Sequence, residues 1–178
     1  MKLLEVFESG KSMDIIKVLK KEHDEVDALF AQIEKARGSG KKQKLFQELN
    51  QSLYSHAEAE QDVLYTALTR HRQTKKDALE GFQEHAIIEY LLRKLSHMNA
   101  SQGDLWEAIL KVLRENVEHH VKEEEKVMFS HVKKVFSKEE REQLGREFMR
   151  KKRNLSGPRL PYVRKRENQR ILVRAQNA

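Results

Sequence analysis

The chain of 178 residues contains no cysteine, two prolines and seven glycines. Without cysteine there is no disulfide, no thiolate nucleophile and no cysteine-held zinc or iron–sulfur cluster. So few prolines and glycines leave the backbone free to run in long helices. Nothing in it approaches the roughly 18 consecutive apolar residues of a membrane span. The opening stretch MKLLEVFESGKS lacks the apolar run of a secretion signal and carries two glutamates. These absences predict a cytoplasmic protein, since nothing in the composition requires an oxidising compartment. Phosphate-cradling loops and dinucleotide fingerprints are also missing.

Charge is what the chain has in quantity, at 35% of residues. The net value of +7 hides a division: residues 150–178 hold ten Lys/Arg and one acid, which leaves residues 1–149 at −2. The division predicts an N-terminal extension over 1–12, a body over 13–150 and a basic tail over 151–178. The tail reads either as a solvated segment or as a patch attracted to nucleic acid, an acidic partner or a membrane surface. Runs of Lys/Arg carry no sequence specificity of their own, and Tyr162 is the one ring there for stacking.

Apolar residues recur at steps of three and four, the mark of helices with one buried face. The first helix begins after Asp14 and shows Ile15, Leu19, His23, Val26, Phe30 and Ile33 before Gly38-Ser39-Gly40 breaks it. A second runs from about Lys42 to Arg72 through Leu45, Leu49, Leu53, His56, Glu60, Leu64 and Ala67. The third covers about Lys76 to Met98, with Leu79, Phe82, His85, Glu89 and Leu92. The fourth runs from Asp104 to about Val135, through Ile109, Leu113, Val117, His120, Glu124 and Val127. A short fifth helix follows Ser137, whose spacing to Glu140 has the form of a capping box. Leu144 and Phe148 give that helix an apolar edge. Four long amphipathic segments with short connections predict an all-α, up-down-up-down four-helix bundle with a short fifth helix.

Polar residues interrupt these apolar stripes in a repeating way. His56-Ala-Glu-Ala-Glu60-Gln-Asp-Val-Leu-Tyr65 aligns with His120-Val-Lys-Glu-Glu124-Glu-Lys-Val-Met-Phe129, and upstream Glu22-His23 aligns with Glu84-His85. The offset between the copies is 62 from His23 to His85 and 64 from His56 to His120. A single His-x-x-x-Glu pair means little in a glutamate-rich helical chain. Here both pairs fall on buried stripes, and the register of the repeat holds. Residues four apart share a helix face, about 6 Å from one another, so both can reach one ion or a carboxylate can bridge two. An uncompensated carboxylate in a bundle core costs several kcal/mol, roughly, or shifts its pKa. His23, His56, Glu60, His85, His120 and Glu124 are therefore candidate metal ligands. Imidazole and carboxylate without thiolate suit iron, with manganese and zinc as competitors. The plain alternative is four core histidines satisfied by neighbouring carboxylates.

Other residues take lesser roles in this reading. Glu89, four after His85, is a candidate ligand or outer partner, and Asp27, four after His23, a candidate outer partner. His119 faces about 100° away from His120 and is read as solvated, with its +5 spacing to Glu124 as an alternative register. His131 lies too far along the bundle, His71 and His97 sit near helix ends, and Trp106 packs at the start of the fourth helix.

The stretches Lys-Glu-His23-Asp-Glu-Val, His56-Ala-Glu-Ala-Glu60, Glu-His85-Ala-Ile-Ile-Glu and Glu-His-His120-Val-Lys-Glu-Glu124 resemble the hemerythrin-like, or HHE cation-binding, family over about residues 13–150. The resemblance implies a four-helix bundle around a non-haem di-iron centre. Glu60 and Glu124 would bridge, and the four histidines would bind terminally. It implies binding of, or reaction with, peroxide, oxygen or nitric oxide, in a catalase-like or stress-protective role. A sensing module that uses the basic tail toward a partner or nucleic acid is the competing expectation. The chain departs from oxygen-carrying hemerythrins at Glu89, where they have a second histidine, and at His120-x-x-x-Glu124, where they have His-x-x-x-x-Asp. Both departures point away from simple reversible oxygen carriage.

Overall fold

The computed structural model describes residues 13–155; residues 1–12 and 156–178, including the Arg164–Arg166 cluster, Tyr162 and the alternating stretch Arg170–Arg174, lie outside the described residues. Helix α1 (Ile15–Lys35) is opened by Asp14, whose Oδ1 accepts from the backbone N–H of Ile16 at 3.0 Å. Ala36, in extended conformation, ends it. Helix α2 (Ser39–Glu60) starts three residues earlier than its apolar pattern suggests. The turn is made by Gly38 alone, at φ 83°, and Gly40 is already inside the first helical turn.

Helix α3 covers Lys75–Ser96 and α4 covers Asp104–Glu123. Between them Asn99 caps a 3-10 turn, Ala100–Gln102, with Gln102 closing the capping box. Helices α1 to α4 form the expected up-down-up-down bundle, α1 packing closely on α2 and α3 on α4. Among the described residues there is no strand, and no helix is long and apolar enough to cross a membrane.

Neither α2 nor α4 ends where its α-helical hydrogen bonding stops. Each passes into a π-helical turn, Gln61–Tyr65 after α2 and Glu124–Met128 after α4, and then returns to α geometry over Thr66–Leu68 and Phe129–Val135. A π turn accommodates one extra residue, is rare, and is frequently found at functional sites. The repeat seen in the sequence thus extends to the backbone, beginning at or next to each candidate glutamate. The extra residue also rotates the remainder of each helix. Val127, expected on the inner stripe, is exposed, while Met128, Phe129 and Val132 are buried. After Glu60 the inward residues are Leu64, Tyr65 and Leu68, with Ala67 at the edge.

The fifth helix, α5 (Lys138–Leu155), is 18 residues long and forms part of the body. Its capping box is formed: the backbone N–H of Glu140 donates to Ser137 Oγ at 3.2 Å, and that of Ser137 to Glu140 Oε2 at 2.7 Å. The helix lies against α1 and α2. Contact is close because Gly145 has no side chain: a Cβ there would stand 1.7 Å from the carbonyl oxygen of Met13. Arg141 Nε donates to Asp14 Oδ2 at 2.9 Å, and the Gln51 amide donates to the carbonyl of Leu155 at 3.0 Å. Phe148 and Leu155 are buried. Lys151 and Lys152, at the start of the basic segment, are paired with Asp62 and Glu22, so the first five residues of that segment belong to α5.

The apolar interior is divided. One cluster gathers around Phe30, Phe46, Leu49, Leu92, Trp106 and Leu113, and another around Ile15, Leu19, Leu64, Tyr65, Phe129 and Phe148. The candidate histidines and glutamates belong to neither cluster. Trp106 sits where the sequence places it, fully buried and edge-on to Phe46 at 5.8 Å.

Candidate metal centre

Each of the first four helices contributes one histidine to a common buried layer: His23 from α1, His56 from α2, His85 from α3 and His120 from α4. Glu60 and Glu124 join them, and none of the six is more than 6% exposed. The structure brings all six candidates together. His56 Nε2 lies 3.3 Å and His85 Nε2 3.5 Å from Glu60 Oε2. His23 Nε2 lies 3.2 Å and His120 Nε2 3.9 Å from Glu124 Oε2. His85 and His120 face each other Nε2 to Nε2 at 3.0 Å. Two sets of side chains converge tightly enough to hold an ion, His56–Glu60–His85 and Glu60–His120–Glu124, and Glu60 belongs to both; His23 joins neither set and meets the layer through Glu124, 3.2 Å away.

Behind the histidines stands a second ring. Glu84 Oε2 accepts from His120 Nδ1 at 2.6 Å, Glu125 Oε1 accepts from His23 Nδ1 at 2.9 Å, and Gln61 contacts His85 Nδ1 at 3.1 Å. Glu22 lies 4.0 Å from His56 Nδ1 and is itself held by Lys152 of α5. The arrangement obeys the repeat. The glutamate before each of the first pair of histidines (Glu22, Glu84) backs a histidine on the next helix (His56, His120). The residue after each core glutamate (Gln61, Glu125) backs His85 or His23. Such partners orient a ligating imidazole and fix which nitrogen faces the ion. The Glu-His dipeptides are visible in the sequence, but their cross-helix destinations are not.

The electrostatics are those of a site closed off from water. Burial lowers the pKa of His23, but the closely facing Glu124 carboxylate, the hydrogen bond to Glu125 and the charge of Glu60 outweigh it and carry it up to about 9. Burial, and then the charge of His23, take His56 down to about 3. Burial with the neighbouring histidines holds His85 well below its usual value. Burial raises both core carboxyls, and the charge of Glu60 helps bring Glu124 to about 7.

Both oxygens of Glu60 and of Glu124, with Nε2 of His23 and Nδ1 of His56, are buried without a hydrogen-bond partner. An unsatisfied buried polar atom costs about 1–3 kcal/mol, more when charged. So many converging on one point is the deficit that a cation corrects. The donors are imidazoles and carboxylates, so the residues present fit a first-row divalent or trivalent metal.

Aromatic rings seal the layer. Phe129 stacks on His23 at 6.3 Å, Tyr65 on His85 at 5.2 Å, and Phe148 meets His56 edge-on at 5.9 Å. The Tyr65 hydroxyl is buried within reach of Glu60. It fits there because residue 81 is glycine: a Cβ at Gly81 would lie 2.8 Å from that hydroxyl. Lys152 and Phe148 come from α5, where the sequence pattern points to no part of the centre.

The remaining candidates go elsewhere. Glu89 joins neither converging set and lies half-buried beside Gln61 and His85, because Ile88 takes the inward position on α3. Asp27 is exposed and pairs with Arg114 at 3.2 Å. His119 is exposed, 3.5 Å from Glu84. His131 Nδ1 donates to Asp77 at 2.5 Å, His71 packs on Phe136, and His97 caps the carbonyl of Arg93.

Comparison with known proteins agrees with this geometry. The hemerythrin HHE cation-binding domain matches residues 14–132. A protein named DNA nickase from Nostoc sp. (strain PCC 7120 / SAG 25.82 / UTEX 2576) is 28% identical over 138 residues, 78% of this chain. The chain spans only 39% of that relative's length. No solved structure matches. The family match covers most of the chain and takes in all six residues of the buried layer, and the chain belongs to the hemerythrin HHE cation-binding domain family.

Proposed function

We propose that His23, His56, His85, His120, Glu60 and Glu124 hold two iron ions, with the two carboxylates bridging, and that the centre binds or reacts with a small oxidant. Peroxide, oxygen and nitric oxide are the candidates, in a catalase-like or stress-protective role in the cytoplasm. One observation carries this reading: Glu60 is common to two converging sets, and all four oxygens of Glu60 and Glu124 are buried with no well-formed hydrogen bond. When bound, iron would supply Lewis-acid polarisation and a change of oxidation state. Manganese and zinc suit the same donors, but zinc offers no redox chemistry.

The chain's own residues supply access, exclusion and a proton. A groove of roughly 520 Å³ between α1 and α4 is lined by His23, by Val26, Phe30, Val117 and Val121, and by charged residues of both signs. Its apolar part suits a small neutral molecule. Phe129, Tyr65 and Phe148 keep bulk water from the histidines. Burial, and then the charges of Glu60 and Glu124, push the Tyr65 hydroxyl well above its usual pKa, so it keeps a proton beside Glu60. With Glu89 outside both converging sets, the His85 side has one nitrogen donor fewer than an oxygen carrier would, which favours reaction over reversible carriage.

Iron analysis and visible spectra of anaerobically purified protein, exposed to oxygen, peroxide and nitric oxide in turn, test this. About two irons per chain and a band altered by one of these molecules are expected. Peroxide turnover that survives both His56→Ala and Glu124→Ala would exclude this centre as its source.

A second reading, a sensing module that contacts nucleic acid, has one structural observation in its favour. Arg146, Arg150 and Arg153 are exposed on one face of α5, leading into the basic segment. The relative named DNA nickase is compatible with it. Salt-dependent DNA binding lost on deleting residues 156–178 would support it.

A further inference from the structure

We infer that the face between α3 and α4 carries a loading path for a divalent cation, from Glu80 and Glu123 at the surface, past Asp77 and Glu84, to the buried carboxylate of Glu124. The inference rests on the buried layer being a cation site. It adds how the ion arrives.

Four outer carboxylates and Glu124 line one narrow cleft of about 40 Å³, with Gly81, Val127 and Met128 as its walls. Their exposure is graded. Glu80 and Glu123 are exposed, the side chains of Asp77 and Glu84 are 19% exposed, and Glu124 is 1% exposed. Acidic residues on a helical surface are ordinary. What distinguishes these is their inner end, a fully buried carboxylate lining the same cleft, with neither oxygen hydrogen-bonded. Two of the four histidines left unused by the buried layer stand here too, His119 beside Glu84 and His131 on Asp77.

The outer acids do not form a storage site. Among the described residues, the only sets converging tightly enough to hold an ion are the two buried ones. The outer carboxylates therefore attract and pass on. A cleft of one sign with low-dielectric walls focuses the field and raises the arrival rate of a counter-ion by about 10- to 1000-fold. Its volume of about 40 Å³ leaves room for little beyond one small ion and a water or so. The α1–α4 groove is different: its acids are largely neutralised, Asp27 and Glu118 by Arg114 and Glu125 by Lys20, with Lys122 and Lys126 also on its lining, and its volume is roughly 520 Å³. Two approaches to one centre thus differ in charge and volume, one suited to a partly dehydrated cation and the other to a neutral molecule.

The test is stopped-flow loading of cation-free protein with Co²⁺, followed by its visible absorption. In Glu80→Gln/Glu123→Gln the association rate should fall about tenfold at low ionic strength. Dissociation should slow in proportion, leaving stoichiometry and Kd unchanged. Asp24→Asn/Glu118→Gln, which removes two acids from the other groove, should load at the wild-type rate. Added salt should slow the wild type more than the Glu80/Glu123 variant. An unchanged association rate in Glu80→Gln/Glu123→Gln, an equal slowing in the control, or a weaker Kd without slower exchange would each overturn the path. A wild type that takes up no Co²⁺ would instead overturn the reading of the centre itself.

Discussion

Glu84 precedes His85 in the chain but serves a different histidine: its carboxylate accepts a 2.6 Å hydrogen bond from Nδ1 of His120, on the neighbouring helix. That bond holds the Glu84 carboxyl below its usual range. It also leaves Nε2 of His120 facing the buried layer.

Removing this support should loosen the centre without unfolding the bundle. Glu84→Ala is expected to weaken cation affinity by about 10- to 100-fold, the usual cost of losing a histidine's outer partner. Titration calorimetry with the same metal on both proteins measures it. An affinity equal to wild type would show that Glu84 does not orient His120.

Cation uptake should release protons. In the cation-free protein His23 holds its proton up to about pH 9, and Glu124 up to about pH 7. Both must be lost before these groups can coordinate. Affinity should therefore rise with pH until about 9. Calorimetry at pH 7.5 in two buffers of different ionisation enthalpy should report net proton release.

The same groups set the stability of the cation-free fold. The His23 pKa is raised on folding, so its contribution is complete below the unfolded value of about 6.5 and is lost as pH rises toward 9. His56 acts oppositely, but its loss occurs as pH falls below about 6.5. Lys152, brought down to about 8 by burial and then by Lys21, gains only above that pH. Between pH 7 and 8 the His23 effect dominates: the last of the raised Glu124 carboxyl's contribution is lost there too, while the onset of the Lys152 gain opposes it. Thermal melts should show a loss on the order of 1 kcal/mol across that unit. The cation-loaded protein should show no such loss.

Gly81→Ala is expected to cost about 1–3 kcal/mol by overpacking. Its new Cβ would lie 2.7 Å from Cζ of Tyr65. Gly40→Ala, in the first turn of α2 with nothing within 4 Å, should be neutral or stabilise by up to about 1 kcal/mol. Urea denaturation of the pair separates a local steric effect from a general intolerance of alanine.

Lys152→Met leaves Glu22 buried without its counter-charge and should destabilise by about 3–5 kcal/mol. Adding Glu22→Gln should recover much of that loss, which a double-mutant cycle would measure. Additive effects would mean that the two side chains do not act as a pair.

Much of this site is legible from spacing alone. A histidine and a glutamate four apart must share a helix face, so the six core residues follow from periodicity once the stripes are drawn. What the sequence hides depends on rotation and on packing order. A π turn adds one residue, which a pattern of threes and fours absorbs without trace; periodicity puts Val127 inward for that reason, and Phe129 gives no sign that it stacks on His23. Glu89 falls on the α3 stripe because the stripe there is ambiguous, and Ile88 fills the core instead. Glu22 and Glu84 stand next to histidines in the chain but point about 100° away, toward helices whose adjacency only the fold decides. The close seating of α5 requires a glycine against a backbone carbonyl, a contact without periodicity.

Of the four side chains that stand behind the histidines, Gln61 alone is neutral. Glu22, Glu84 and Glu125, when ionised, can only accept, which commits His56, His120 and His23 to carrying a proton on Nδ1 if they hydrogen-bond outward at all. An amide has no such commitment. A half-turn of its terminal bond exchanges oxygen for nitrogen while the heavy atoms keep their places, so Gln61 can present either a donor or an acceptor to His85 Nδ1, 3.1 Å away. With Nδ1 of His120 donating to Glu84, the 3.0 Å contact between the two Nε2 atoms places the His85 proton on Nε2 in the cation-free protein; a cation held there would put it on Nδ1, and a turn of the Gln61 amide alone accommodates that change. One corner of an otherwise rigid layer is thus pliable in its protons alone.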